Sequence, residues 1–401
     1  MKTKNIIQYI SNIWMLAGLI FPKYVAIAEV PKNLPNLNNL TFQEWCDRRF
    51  NLEANTQKTI EILLQQAGTT NCQQAAQSLA NKTKLNLNFA QIQDITPLTS
   101  LPNLTVLSLG ENQINNISPL SALPNLTYID ISNNPITDIT PLASQKKTTY
   151  LNLANTQITS LKPLVSLPEL TTLTISTQHF NLLTPLANLP KLSNLNLISS
   201  RGVTDLSNFP ALPHLKNLDI SHNQIQNITG LSRLKNLIVL NLEDNQISDI
   251  TPLSGLTNIA ILNLSNNQIS DLRPLAELVN LNTLTLADNN IKDIQPLARL
   301  GEITEMNISN NQIENIKIIA NLVNINRLII NNNKISNPAP IARLKKLTYL
   351  NLANNNINHF NSLASLPNLE QIDIIANPGT PNTCPVKANI CLLTAPSRSP
   401  L

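Results

Sequence analysis

Residues 240–261 read LNLEDNQISDITPLSGLTNIAI, and residues 262–283 read LNLSNNQISDLRPLAELVNLNT. The shared phrase is Leu-x-Leu-x-x-Asn-x-Ile, and working outward it recurs from Leu85, Leu107, Ile129, Leu151, Leu173 and Leu195. It continues from Leu218, Leu240, Leu262, Leu284, Met306, Leu328, Leu350 and Ile372. Successive starts lie 22 residues apart, except for 23 between Leu195 and Leu218, which gives thirteen complete units and a truncated fourteenth over residues 85–377. Self-similarity at this period marks a stacked array, because one such unit cannot bury its own apolar edge.

Each unit is numbered here from its first Leu. Apolar positions 1 and 3 alternate with polar residues, as a short strand with one buried face requires. The Asn at position 6, as in Asn112, Asn134, Asn245, Asn267 and Asn289, falls where the chain leaves the strand. Its amide both donates and accepts, so stacked copies satisfy turn groups that burial would otherwise leave unpaired. Position 10 is often Asp, followed by Thr/Ser-Pro-Leu as in Thr96-Pro97-Leu98 and Thr251-Pro252-Leu253. A hydroxyl before Pro reads as the cap of a helical start, and the short spacing allows only a 3₁₀ turn. Leu at positions 14, 17 and 20 completes the core. The array therefore depends on its position-6 Asn: Asn267→Ala is expected to destabilise it, and Asn263→Ala, on the exposed strand face, to cost little.

The segments outside the repeats carry different signals. Residues 1–28 open with Lys2 and Lys4, pass through the apolar run Ile13 to Phe21 and end in Ala26-Ile27-Ala28. This pattern predicts a cleaved secretory signal, the run being too short for a membrane span. Residues 29–84 form a linker and a helical N-terminal cap: Thr41 to Glu44 is a capping box, helices follow around Thr56 to Ala67 and Asn71 to Leu79, and Gly68 is a stop. Residues 378–401 close the chain as a C-terminal cap and tail. The full chain of 401 residues has a formal charge of +4. Loss of Lys2, Lys4 and Lys23 brings this near +1, so no charge excess points to nucleic acid or an anionic membrane, and weak salt dependence of binding is expected.

The 22-residue units resemble leucine-rich repeats of the internalin-like class. That resemblance implies an α/β solenoid, a horseshoe with a concave parallel sheet, short 3₁₀ turns on the convex side and a helical N-terminal cap. In such a rigid array Cys46 pairs with Cys72 and Cys384 with Cys391, each pair inside one cap, and an exported protein suits disulfides better than zinc. The cap stretches Phe42-Gln43-Glu44-Trp45-Cys46, Ala67-Gly68-Thr69-Thr70-Asn71-Cys72 and Thr383-Cys384-Pro385-Val386-Lys387 are similar to those of secreted leucine-rich repeat proteins of cyanobacteria. Internalins continue into an Ig-like domain and a wall anchor, which this sequence does not contain; host-cell adhesion is not implied.

No motif of catalysis or phosphate binding occurs, and His179, His214, His222 and His359 lie in separate units. His222 and Asp244, both at position 5 with Asp219 and Glu243 nearby, read as a solvated rim pair or, more sharply, a divalent-cation or polar-ligand site. The tyrosines beyond the leader are Tyr128, Tyr150 and Tyr349, all at position 22, which alternation points out of the sheet. Lys84, Val106, Tyr128, Tyr150 and Thr172 form one outward row, and Val239 with Ile261 a second apolar step. Tyr offers contact area and a hydroxyl at low entropic cost, so these residues are the expected ligand surface. Asn103 and Asn125 are expected on the opposite, convex side, where substitution is neutral.

Units 3 to 6 are irregular: Gln145 and Thr148 replace Leu, Thr156, Gln178 and Ser200 replace the ladder Asn, and unit 6 has the extra residue. Perturbed stacking is expected from about residue 144 to 209, through drift or as a bend shaping a ligand surface beside Tyr150. The functional expectation is an exported, monomeric, non-enzymatic binding scaffold that takes a protein, or a glycan, without cofactor, metal or nucleic acid. An enzyme-regulatory subunit like the phosphatase-binding leucine-rich repeat proteins and a structural envelope component are the alternatives.

Overall fold

The structure, a computed structural model, describes residues 40–176, 180–197, 203–381, 384–386 and 390–392. The leader residues 1–28 and the positions His179, Gln178 and Ser200 lie outside the described residues.

Three helices open the described chain. Helix α1 (Phe42–Asp47) starts with the capping box read from sequence: Glu44 N–H donates to Thr41 Oγ1, and Thr41 N–H donates to Glu44 Oε2. Helix α2 (Ala54–Ala67) begins two residues before the expected Thr56 and ends at Gly68, whose φ of 73° is the left-handed cap that glycine adopts without strain. Helix α3 (Cys72–Ala80) is capped by Asn71, which accepts from Gln74 N–H. Trp45, Ile60, Leu63 and Leu79 bury the cap's apolar faces. Thr59 Oγ1 donates to Asp94 O at 2.6 Å and Thr56 Oγ1 to the Asp94 carboxylate at 2.6 Å, so α2 covers the first edge of the array.

Among the described residues fifteen strands form one parallel sheet in chain order, from Lys84–Asn86 to Cys391–Leu392. Leu85 faces Leu107, Leu107 faces Ile129, and position 1 continues to face position 1 up to Ile372. The 23-residue step leaves this register intact, since Leu195 faces Leu218. The last strand was not foreseen from the repeat; it adds Cys391 beside Ile372 beyond the truncated unit. Strands hydrogen-bonded about 4.8 Å apart stack more closely than the bulkier 3₁₀ turns behind them, so the sheet takes the concave side of the solenoid. Between sheet and turns lies the core: Leu98, Leu101, Leu104, Leu107, Leu109 and Ile114 repeat as buried residues in unit after unit.

The position-6 Asn is a buried connector. Asn267 Nδ2 donates to the carbonyls of Leu242, Leu264 and Ser265 at 2.9–3.1 Å, sharing its two hydrogens among them, and its Oδ1 accepts Ile247 N–H at 3.0 Å. The 3₁₀ turns differ from expectation in their cap. Thr96 and Thr140 do not cap; Asp94 and Asp138, two residues earlier, accept the Thr backbone N–H at 2.8 Å and the Thr hydroxyl as well. That contact holds the Asp138 and Asp249 carboxyls below the usual carboxylate range, through hydrogen bonds from Thr140 and Thr251 respectively. Among the described residues no helix is long and apolar enough to cross a membrane.

Two further expectations are corrected. Asn263 is half-buried and engaged: its Oδ1 accepts Ser265 N–H at 3.1 Å and Thr285 Oγ1–H at 2.6 Å, and its Nδ2 donates to Glu243 Oε2. Asn86, Asn152 and Asn351 make the same turn contact, so position 2 is a second structural Asn series. Asn103 and Asn125 do not stand idle on the convex side; they sit just before the strands and donate to Ala80 O and Pro102 O of the preceding turn.

Candidate functional site

Parallel register brings the residue just before each first Leu into one line across the sheet, position 22 in every unit but the 23-residue one, where it is Asn217. Lys84, Val106, Tyr128, Tyr150 and Thr172 are consecutive partners. Val239 and Ile261 are partners too, and so are Arg327 and Tyr349. Lys84 and Ile261 are exposed, the other named members half-buried, because each side chain leans on its neighbour while its strand partners at positions 1 and 3 enter the core. The structure thus unites Lys84 through Thr172 in one patch. It separates Val239 and Ile261 from them by two strands carrying Asn194 and Asn217, and places Tyr349 nine strands beyond Tyr150.

Tyr128 and Tyr150 stack with ring centroids 4.2 Å apart and planes 4° from parallel. Parallel strands in register put identical rings one above the other at stacking distance. Burial, with the neighbouring Tyr150 and Asp130, pushes the Tyr128 hydroxyl up to about 12, so it is a neutral donor and acceptor throughout the physiological range. A second ring contact escaped the sequence reading: the Arg327 guanidinium lies 3.9 Å over the Tyr349 ring. Its signal was present, since Arg327 occupies position 22 one unit before Tyr349.

His222 and Asp244 do meet, Nδ1 to Oδ2 at 2.9 Å, with both side chains largely exposed. The hydrogen bond to Asp244 is the main cause that raises the imidazole pKa, and the charges of Asp244, Glu243 and Asp219 add to it. The pair is one link in a longer rim. Asn266 donates to Asp244, Asn155 to Asn133, and Asn354 to Asn332, all at position 5 and all with φ of 52–56°. Asn, Asp and His tolerate this left-handed region through local hydrogen bonds, which explains their recurrence there. Among the described residues no group of three His, Cys, Asp or Glu could hold a metal ion.

The disulfides form as expected, Cys46 with Cys72 across α1 and α3, and Cys384 with Cys391 beside the last strand. In the irregular units the expected perturbation leaves strand register intact: strands Tyr150–Leu153, Thr172–Ile175 and Asn194–Leu197 pair in register. Gln145 and Thr148 are buried and donate to Leu120 O and Leu126 O of the preceding unit.

The model of paired leucine-rich repeats matches residues 83–121, 102–144, 213–255 and 257–299, and the single-repeat model matches residues 346–377. An internalin, InlF, from Listeria monocytogenes is 30% identical, with a TM-score of 0.59 over 80% of this chain and 89% of that one. The chain belongs to the leucine-rich repeat family, in its internalin-like class. A leucine-rich repeat protein of Leptospira interrogans shares the fold at 23% identity and a TM-score of 0.55, over 75% of this chain and 92% of that one. Toll of Drosophila, solved in complex with Spatzle, shares it at 18% identity and a TM-score of 0.60, over 76% of this chain and 45% of that one. No curated protein matches the chain significantly.

Proposed function

We propose that this protein is an exported, non-enzymatic scaffold that binds a protein ligand on the concave face of its sheet, with Val106, Tyr128, Tyr150 and Thr172 at the centre of contact. The observation that carries this reading is the stacked tyrosine pair, its ring centroids 4.2 Å apart on an outward strand row, a contact already made in the unbound chain. Lys84, Val239, Ile261 and Tyr349 extend the surface along the same row. A protein suits it better than a glycan: Tyr128 and Tyr150 spend facing ring surfaces on each other, and Arg327 covers one face of Tyr349. The paired cysteines and the leader sequence support export.

The test is affinity for a partner captured on the immobilised protein. Tyr128→Ala with Tyr150→Ala is expected to weaken binding by about 2 kcal/mol or more if the pair is a hot spot. Glu277→Ala with Arg299→Ala removes an exposed ion pair on the convex side and should leave affinity unchanged. Loss in the convex pair with none in the tyrosine pair would move the interface to the other face.

A further inference from the structure

The outward face of the sheet differs in sign from the chain as a whole. The position-22 row and the neighbouring position-2 row carry Asp130, Asp219, Glu305 and Asp373 against Lys84 and Arg327. Between Val106 and Glu305 neither row contains a lysine or arginine. The formal charge of +4 over the full chain hides this asymmetry, because most lysines and arginines lie outside these two rows.

On that stretch a groove of about 370 Å³ opens, lined by Asn217, Asp219, Val239, Asn241, Ile261 and Asn263 among others. Its floor holds an apolar step, with Ile261 42% exposed beside half-buried Val239. Its wall holds a carboxylate of fixed orientation: Asp219 Oδ1 accepts Ser221 N–H at 3.0 Å and Ser221 Oγ–H at 2.7 Å. Glu243 does not line the groove but adjoins it, its Oε2 accepting from the lining residue Asn263 at 2.9 Å. The neighbouring His222 is held toward its protonated form by Asp244 first, and also by Glu243 and Asp219, so positive charge is already stabilised at this end of the strands.

We infer that this groove is a subsite for a lysine or arginine side chain of the protein ligand, the Val239–Ile261 step receiving the methylene stem and Asp219 with Glu243 receiving the cationic head. Such side chains are apolar along the stem and charged at the tip, which matches a step beside carboxylates. An uncharged apolar side chain would desolvate those carboxylates without pairing them, and an acidic segment would be repelled. The inference rests on the concave-face reading above and adds the chemistry of the partner.

The test uses the full chain and three fluorescein-labelled octapeptides, alternating serine with lysine, with glutamine or with glutamate, read by fluorescence anisotropy. The lysine peptide should bind, weaken with added salt and outcompete the other two. Asp219→Asn keeps the turn contact that Asn86 and Asn351 make at the same position, and Ile261→Thr takes the residue found one strand on at Thr283. Each should weaken the lysine peptide about threefold as a partly exposed contact, and the double variant about tenfold. Equal affinity for lysine and glutamine peptides overturns the subsite, as does equal weakening by Asp249→Asn with Asp271→Asn at the 3₁₀ turns. A captured partner that depends on Tyr128 and Tyr150 but not on Asp219 and Ile261 removes the subsite alone. Peptide binding that depends on the groove, beside a partner indifferent to the tyrosines, keeps the subsite and removes the tyrosine-centred reading.

Discussion

The units from Leu218 to Asn377 and those from Tyr150 to Asn196 share one sheet but not one way of closing their turns. In the first region Asn245, Asn267, Asn289 and Asn311 each tie one carbonyl and one N–H of the preceding unit to two carbonyls of their own. In the second, Thr156 stands in the ladder position and donates only to Leu153 O, within its own unit. The N–H of Ile136, whose counterpart Ile114 is served by Asn134 Oδ1, turns to Asn134 O instead. Strands there lengthen from three residues to four, as at Tyr150–Leu153 and Thr172–Ile175. Backbone register follows the core leucines, so it survives; side-chain closure of the turn follows the Asn, so it is lost where the Asn is lost.

The sharpest way to break this comparison is to attack what both regions share. Leu262→Ala and Leu173→Ala, each fully buried, should cost about 2–5 kcal/mol in either region by chemical denaturation, since both leave a cavity in the same core. A much smaller loss at Leu173 would show that the irregular units are not held by the common register.

What the regions do not share should separate them next. Asn267→Ala is expected to cost about 1–3 kcal/mol through turn groups left unpaired, against about 1 kcal/mol or less for Thr156→Ala, which loses one hydrogen bond. Thr156→Asn should raise the denaturation midpoint by rebuilding the missing link to Ile136. Equal losses in both alanine variants, or a destabilised Thr156→Asn, would contradict the ladder account.

The smallest effect concerns Asp373, at position 2 of the last full-length strand line. Burial raises its carboxyl pKa above the ordinary value, with the Ile375 N–H bond opposing. A raised folded-state pKa means the native chain binds more protons than the unfolded chain just above the usual carboxylate range, so stability falls as pH rises through that window. Asp373→Asn should therefore be slightly more stable than wild type at neutral pH, the difference closing in acid. A gap that widens in acid would reverse the assignment.

Most of the fold was legible because the 22-residue period fixes register, and register fixes which residues line up. The outward row Lys84 to Thr172 follows from the same arithmetic. What escaped depended on contacts between side chains and backbone within a turn, which spacing alone does not reveal. Asp94 rather than Thr96 caps the 3₁₀ turn, and Asn263 on the outward row serves the turn as Asn267 does from inside. The acidity of the outward face around Asp219 was hidden for a different reason, since overall composition averages over faces that the fold keeps apart, whereas the Arg327–Tyr349 contact was readable from spacing and was passed over.

The claim that the concave row is the contact surface is tested most directly by hydroxyl-radical footprinting of the protein free and partner-bound. Phe50 and Phe89, 73% and 75% exposed at the N-terminal end, serve as internal references. The account predicts that oxidation of Tyr128 and Tyr150 falls on binding while that of Phe50 and Phe89 stays constant. Protection of the two phenylalanines with the tyrosines unchanged would contradict it.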